Sequence, residues 1–207
     1  AVAPDYSQSD LLVLIFATHA YNAPLPVYHW IEKAPRVDGT PALVISVSGG
    51  GDAGSNSNCR AGAIRRLEAK GYRVIYEDMF AMPNNWMHAT PEPLALMLLQ
   101  VLPEKADAIV KNVLSGKTRR TRPTLPGRIF SRFGELEKKG APKFGKKIKT
   151  LPACNGCGWC AEVCPAQNIT ITDGAPKFGN VCQLCFCCIY GCPQKALAPG
   201  SLKFAII

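Results

Sequence analysis

The feature that most constrains this 207-residue chain is a cysteine ladder near its C-terminal end. It runs first as Cys154-Asn-Gly-Cys157-Gly-Trp-Cys160-Ala-Glu-Val-Cys164-Pro165. It returns as Cys182-Gln-Leu-Cys185-Phe-Cys187-Cys188-Ile-Tyr-Gly-Cys192-Pro193. Both runs read C-x2-C-x2-C-x3-C-P, and every matched cysteine lies 28 residues from its counterpart. The prolines and the apolar positions Ile169 and Leu197 keep the same offset. The spacing is that of a two-cluster [4Fe–4S] motif, in which the fourth cysteine of each run serves the other cluster. Three thiolates at x2 intervals wrap a loop around one cube. The x3 step starts a short helix that carries the fourth thiolate across, and the proline turns the chain away. The expected ligand sets are therefore Cys154, Cys157, Cys160 and Cys192 for one cluster, and Cys182, Cys185, Cys188 and Cys164 for the other.

Two other uses of cysteine fit less well. Nine of the ten cysteines fall within 39 residues, with only Cys59 outside, whereas a disulfide framework would staple the whole chain. Structural zinc prefers two well-separated C-x2-C pairs over four cysteines in eleven residues. Cys187 is off the ladder and reads as a small residue beside the cluster. Trp159 and Phe186 read as equivalent positions of the two loops, shielding the clusters from water. Thiols used this way imply a cytoplasmic, reducing and anaerobic setting.

Before the ladder, strands and helices alternate. Leu11 to Ala17 and Ala42 to Ser48 are short apolar runs suited to strands buried on both faces, and Tyr72 to Tyr76 is a third strand. Pro26 to Lys33, Asn58 to Lys70 and Pro93 to Leu114 read as helices, with Pro103 interrupting the last. The expected class is α/β with a parallel sheet. Ligands of such sheets sit beyond the carboxyl ends of the strands. There the sequence offers an aromatic loop, Thr18, His19, Ala20, Tyr21 and Asn22, and a glycine-rich one, Ser48, Gly49, Gly50, Gly51 and Asp52. That pairing suits a planar ring such as a flavin.

The order of these parts resembles the flavodoxin-like plus ferredoxin fusion proteins of anaerobic prokaryotes. The resemblance rests on Tyr21-Asn-Ala-Pro24 after an apolar strand and on the strand ending in Gly49-Gly50. Met82-Pro83-Asn84-Asn85-Trp86 follows the next strand, and the double ladder closes the chain. It covers nearly the whole sequence and implies an FMN exchanging electrons with two [4Fe–4S] clusters. Thr18, His19, Ala20, Tyr21, Asn22, Ser48, Gly49 and Gly50 would face the ring. By the family's order the first strand, its phosphate loop and the second strand are missing. A longer chain or another subunit would then complete the sheet.

The implied organisation is a partial flavodoxin-like domain over 1–116, a basic linker over 117–147 and a small α+β two-cluster ferredoxin domain over 148–207. The stretch Lys117 to Lys149 holds 12 of the 24 basic residues and two acidic ones, so the +9 net charge resides there. Its prolines and glycines suit a solvated linker or a docking surface for an acidic redox partner, ahead of nucleic acid. No apolar run reaches the length of about 18 residues that spans a bilayer. The expected role is electron transfer between FMN, clusters and a partner protein. Two rivals are a flavin-free accessory subunit wiring or reductively activating a larger complex, and a flavin oxidoreductase using His19 on a small substrate. Cys59, near a helix start, reads as a plain buried thiol.

Overall fold

A computed structural model describes residues 9–52, 54–84 and 90–200, which form two compact units, 9–84 with 90–135 and 136–200. The first is a three-stranded parallel sheet with helices, a mixed α/β unit. Strands β1 (Leu12–Ala17), β2 (Pro41–Ser48) and β3 (Arg73–Ala81) lie in the order β1-β2-β3. Helices α1 (Leu25–Lys33) and α2 (Ala61–Ala69) cover one face, where Leu12, Leu14 and Phe16 meet Tyr28, Ile31, Ile64 and Leu67. Helix α3 (Glu92–Leu114) covers part of the other, packing Ile109 against Leu43, Ile45 and Tyr76. It runs through Pro103 without a break. The lost hydrogen bond falls on Leu99, which is 46% exposed, so water can satisfy its carbonyl.

Strand β2 is buried on both faces, as its composition predicts, but β1 is not. Its side chains alternate, leaving Val13 47% and Ile15 56% exposed. The reason is position: β1 is an edge strand among the described residues, and the α3 layer packs on the Leu43 and Ile45 side chains of its neighbour. Strand β3 carries an extra residue at Ile75, since Ala42 pairs with Val74 and Leu43 with Tyr76. The bulge flips the later side chains, placing Glu77 on the α2 face with Arg60. At the outer edge of β3, Arg119 forms a parallel bridge with Tyr76.

The segment read as a linker folds mostly as α4 (Leu125–Gly145), and the division between the two units falls inside it. Proline and glycine suggested a linker, yet Pro126 lies in the first turn, where a missing N–H costs little. Thr124 caps that turn: its Oγ1 accepts from the Gly127 N–H at 3.2 Å, and its carbonyl from the Arg128 N–H at 3.1 Å.

The second unit is small and carries two antiparallel ribbons. Strand β4 (Lys149–Thr150) pairs with β7 (Leu197–Ala198), and β5 (Ile169–Thr172) pairs with β6 (Ala175–Phe178). Two single-turn helices, α5 (Trp159–Glu162) and α6 (Cys187–Tyr190), follow the cysteine loops. The 28-residue repeat maps one ribbon onto the other. Lys149↔Ala198 becomes Lys177↔Thr170, and Thr150↔Leu197 becomes Phe178↔Ile169. Each copy thus lends a strand to the other.

Candidate metal centre

The two cysteine runs fold alike because the repeat extends to backbone conformation. Left-handed residues occur at Gly156, Gly158 and Gln167 in the first copy, and at Leu184, Phe186 and Lys195 in the second. Each partner lies 28 residues on. Gly158 and Phe186 are the N-caps of α5 and α6. Beyond each helix the fourth cysteine is held the same way. The Asn168 N–H donates to Cys164 Sγ, and the Ala196 N–H to Cys192 Sγ, both at 3.3 Å.

These loops surround two cavities. One is lined by Cys154, Cys157, Cys160 and Cys192, with about 330 Å³ of empty space including its open mouth. The other is lined by Cys164, Cys182, Cys185 and Cys188, with about 440 Å³. The fourth cysteine of each run therefore lines the cavity of the other run. The off-ladder Cys187 also lines the Cys182 cavity and is exposed. In both copies the second cysteine, Cys157 or Cys185, is exposed and the third, Cys160 or Cys188, is buried.

The electrostatics follow the same partition. Burial pushes the Cys160 thiol up, and neighbouring Cys157 and Cys192 add to the shift. Burial raises Cys182 as well, with Cys164 as its cysteine neighbour. Cys185 is exposed as a residue but lines the cavity, where desolvation and then Cys187, Cys164 and Cys182 raise its thiol. Cys188 is pushed up to about 12 by burial, then by Cys185, Cys182, Cys164 and Cys160. Thiols crowded this closely in apolar surroundings need cations to become thiolates together.

Among the described residues no three His, Cys, Asp or Glu side chains converge as ligands of one metal ion would. A tetrahedral ion with bonds near 2.3 Å brings its sulfurs to within about 3.8 Å of each other. Here the cysteines ring a cavity instead of meeting at a point. Four ladder cysteines line each cavity, the donor number that one [4Fe–4S] cluster would take.

The two loops differ in their walls. The repeat pairs Phe186 with Gly158 and Trp159 with Cys187, so Trp159 and Phe186 are not equivalent, contrary to the expectation from sequence. Leu184 and Phe186 are buried, and the Phe186 ring lies edge-on to Phe144 of α4 at 5.5 Å. A left-handed side chain costs about 1–2 kcal/mol, which burying Leu or Phe, worth about 1.5–3 kcal/mol, offsets. Asn168 was not singled out from sequence. Its Oδ1 accepts from the Val181 N–H at 2.7 Å, so it joins Cys164 to the start of the second run.

The structure also brings the aromatic and glycine-rich loops together. They follow adjacent parallel strands, and the Thr18 N–H donates to the Val47 carbonyl at 2.7 Å. Their polar groups, however, are largely used within the protein. His19 and Asn22 exchange backbone hydrogen bonds at 2.8 and 3.0 Å around a tight turn with Ala20 and Tyr21 left-handed. Asn22 Nδ2 donates to the Ser131 carbonyl at 2.8 Å, and Ser131 Oγ returns a bond to Asn22 Oδ1 at 2.6 Å. Tyr21 packs on Phe130 with ring centroids 5.0 Å apart. The glycines answer to their own chain: a side chain at Gly49 would strike Asn84 Cβ at 2.9 Å, and one at Gly50 would strike Asn56 Nδ2 at 2.7 Å. Ser48 Oγ accepts from the Gly50 N–H and from Asn56, and Asp52 binds Arg60. The contacts of Tyr21 and Asn22 are thus made with α4, and those of Ser48 and Asp52 with neighbouring loops. Neither cavity described above is lined by residues 18–22 or 48–50.

Cys59 is fully buried, and burial raises its thiol despite adjacent Arg60, so it is a packed thiol. His88, and the Asn85-Trp86 end of the Met-Pro-x-Asn segment, lie outside the described residues. Among the described residues no helix is long and apolar enough to cross a membrane. No protein-family model, curated protein or solved structure matches this chain.

Proposed function

We propose that this chain is an electron-transfer protein whose C-terminal unit is a ferredoxin-like module for two [4Fe–4S] clusters. The observation that carries the reading is the exchange of the fourth cysteine: Cys192 lines the cavity of the first run and Cys164 that of the second. Each cluster would accept and release one electron at a time. The protein supplies four thiolates per cavity, single-turn helices that fix the crossing ligands, and backbone N–H groups on Cys164 and Cys192. Because α5 carries Cys160 for one set and leads directly to Cys164 for the other, the two sites are tied by one turn of helix. Electrons would pass between them through that short connection.

The packing of α4 on Tyr21 and Asn22 favours the flavin-free form of this reading, an accessory subunit whose clusters wire or reductively activate a redox complex. The apolar β1 edge, unpaired among the described residues, supports a neighbour that continues the sheet. A cytoplasmic, reducing setting belongs to the same proposal.

Anaerobic purification with iron, sulfide and flavin measured per chain tests both parts. About eight iron and eight sulfide per chain support the cluster reading. A colourless zinc protein overturns it. One equivalent of FMN released on denaturation would restore the flavin and overturn the flavin-free version.

A further inference from the structure

The cysteine loops are copies in backbone but not in side chain. The left-handed positions are glycines in the first loop and Leu184 and Phe186 in the second. Leu184 is 8% and Phe186 5% exposed, whereas Gly156 and Gly158 are half-buried and have no side chain to set against a ligand. At Gly158 the missing side chain is not a packing necessity. A Cβ there would meet only Ile171 Cγ1, at 4.0 Å. Trp159 is the large residue of the first loop; it lines the same cavity, is half-buried and lies against Gly191, while the space beside Gly158 holds only Ile171 Cγ1 within 4 Å. Phe186, by contrast, is locked between Phe144 and Tyr190, at 5.5 and 6.2 Å.

We propose that Leu184 and Phe186 separate the two clusters in reduction potential, making the Cys182 cluster the harder to reduce and the Cys154 cluster the place where a single electron rests. This rests on the two-cluster reading above and goes beyond it by assigning an order to the sites. In the step itself, one electron enters from a one-electron reductant and the core passes from 2+ to 1+. No bond is made or broken and no proton moves. The added charge falls on a unit already carrying about two negative charges with its thiolates. Water and peptide dipoles stabilise that charge, and an alkyl and aryl wall does not. The Cys154 cavity has Gly156 and Gly158 in its wall and three large apolar side chains, Trp159, Ile171 and Leu197, against six around the Cys182 cavity, and therefore favours the reduced state more.

The test is an anaerobic redox titration of the purified holoprotein, followed by electron paramagnetic resonance. Two separable midpoints are expected in the unaltered chain. The cluster that disappears in Cys182→Ala identifies the lower one. Phe186→Gly should raise the lower midpoint and leave the upper in place. Gly158→Phe should lower the upper and leave the lower in place, and it serves alone if Phe186→Gly does not fold. Two indistinguishable midpoints, or a Gly158→Phe protein with an unmoved upper midpoint, overturn the inference while leaving the cluster reading intact. A chain without iron overturns the cluster reading itself.

Discussion

The Asn168 N–H donates to Cys164 Sγ across 3.3 Å. Through its side chain the same residue accepts from Val181, immediately before Cys182, so Cys164 is mechanically part of the second cysteine run. Cys164→Ala should therefore remove the same cluster as Cys182→Ala. Iron should fall from about eight to about four per chain in both variants, with matching residual resonance spectra. If Cys164→Ala instead leaves the spectrum of Cys154→Ala, the ligands are not exchanged.

Two glycines of α4 should respond to alanine in opposite directions. A side chain at Gly140 would meet nothing within 4 Å, so Gly140→Ala should stabilise by roughly the helix-propensity difference, about 0.5–1 kcal/mol. At Gly134 the new methyl would run into the Ala20 carbonyl and Asn22 Nδ2. Gly134→Ala should cost about 1–3 kcal/mol despite the better propensity, as overpacking does. Urea midpoints of the two variants decide the matter. A stabilised Gly134→Ala protein would mean that α4 does not pack on the 18–22 turn.

Arg60 is 1% exposed and holds several partners at once. Its Nε donates to Glu77 at 2.8 Å, one terminal nitrogen to Ser46 at 2.8 Å, and the other to Asp52 at 2.7 Å and Thr121 at 3.0 Å. Arg60→Met keeps much of the volume but leaves Glu77 buried with less compensation, which should cost about 3–5 kcal/mol. Amide exchange in β2 and β3 should accelerate accordingly. Arg66→Ala, removing a guanidinium stacked on Tyr28 at 4.0 Å, should cost only about 0.5–1 kcal/mol.

Acid should weaken the first unit through Asp78. Burial opposes ionisation of this carboxyl, but the hydrogen bond from Arg119 outweighs it, helped by the Met79 N–H and Lys105, so it is held below the usual range. The stabilisation is complete above the unfolded value near 3.9 and is lost as pH falls through the lower folded value. Urea unfolding at pH 7 and pH 3 should show a larger acid loss for the native chain than for Asp78→Asn. Equal losses would remove Asp78 from the explanation.

The grouping of cysteines around two cavities and the α/β class were legible because both depend on spacing, and spacing survives in one dimension. Three parallel strands were visible as apolar runs, although burial of β1 was not: Val13 and Ile15 look like core residues until a neighbouring layer is found wanting. Helix α4 was hidden by proline and glycine, which matter only by position within a helix. Thr124 ahead of Leu125-Pro126 was the available sign. The aromatic and glycine-rich loops were correctly brought together, but Ser131 and Phe130 lie more than 100 residues from Asn22 and Tyr21. No local pattern could announce that they fill that space. Phe186 and Leu184 were missed as glycine substitutes because a left-handed backbone is invisible without its φ angle.

Strand β1 presents an open ribbon of peptide groups flanked by Val13 and Ile15, and none of its six residues is a lysine, a proline or an acid. Natural sheets guard such borders with charge or a bulge, and among the described residues nothing guards this one. An edge of this kind is a template for pairing with another chain, so protein concentration and sample history become variables to control in every spectrum recorded from it.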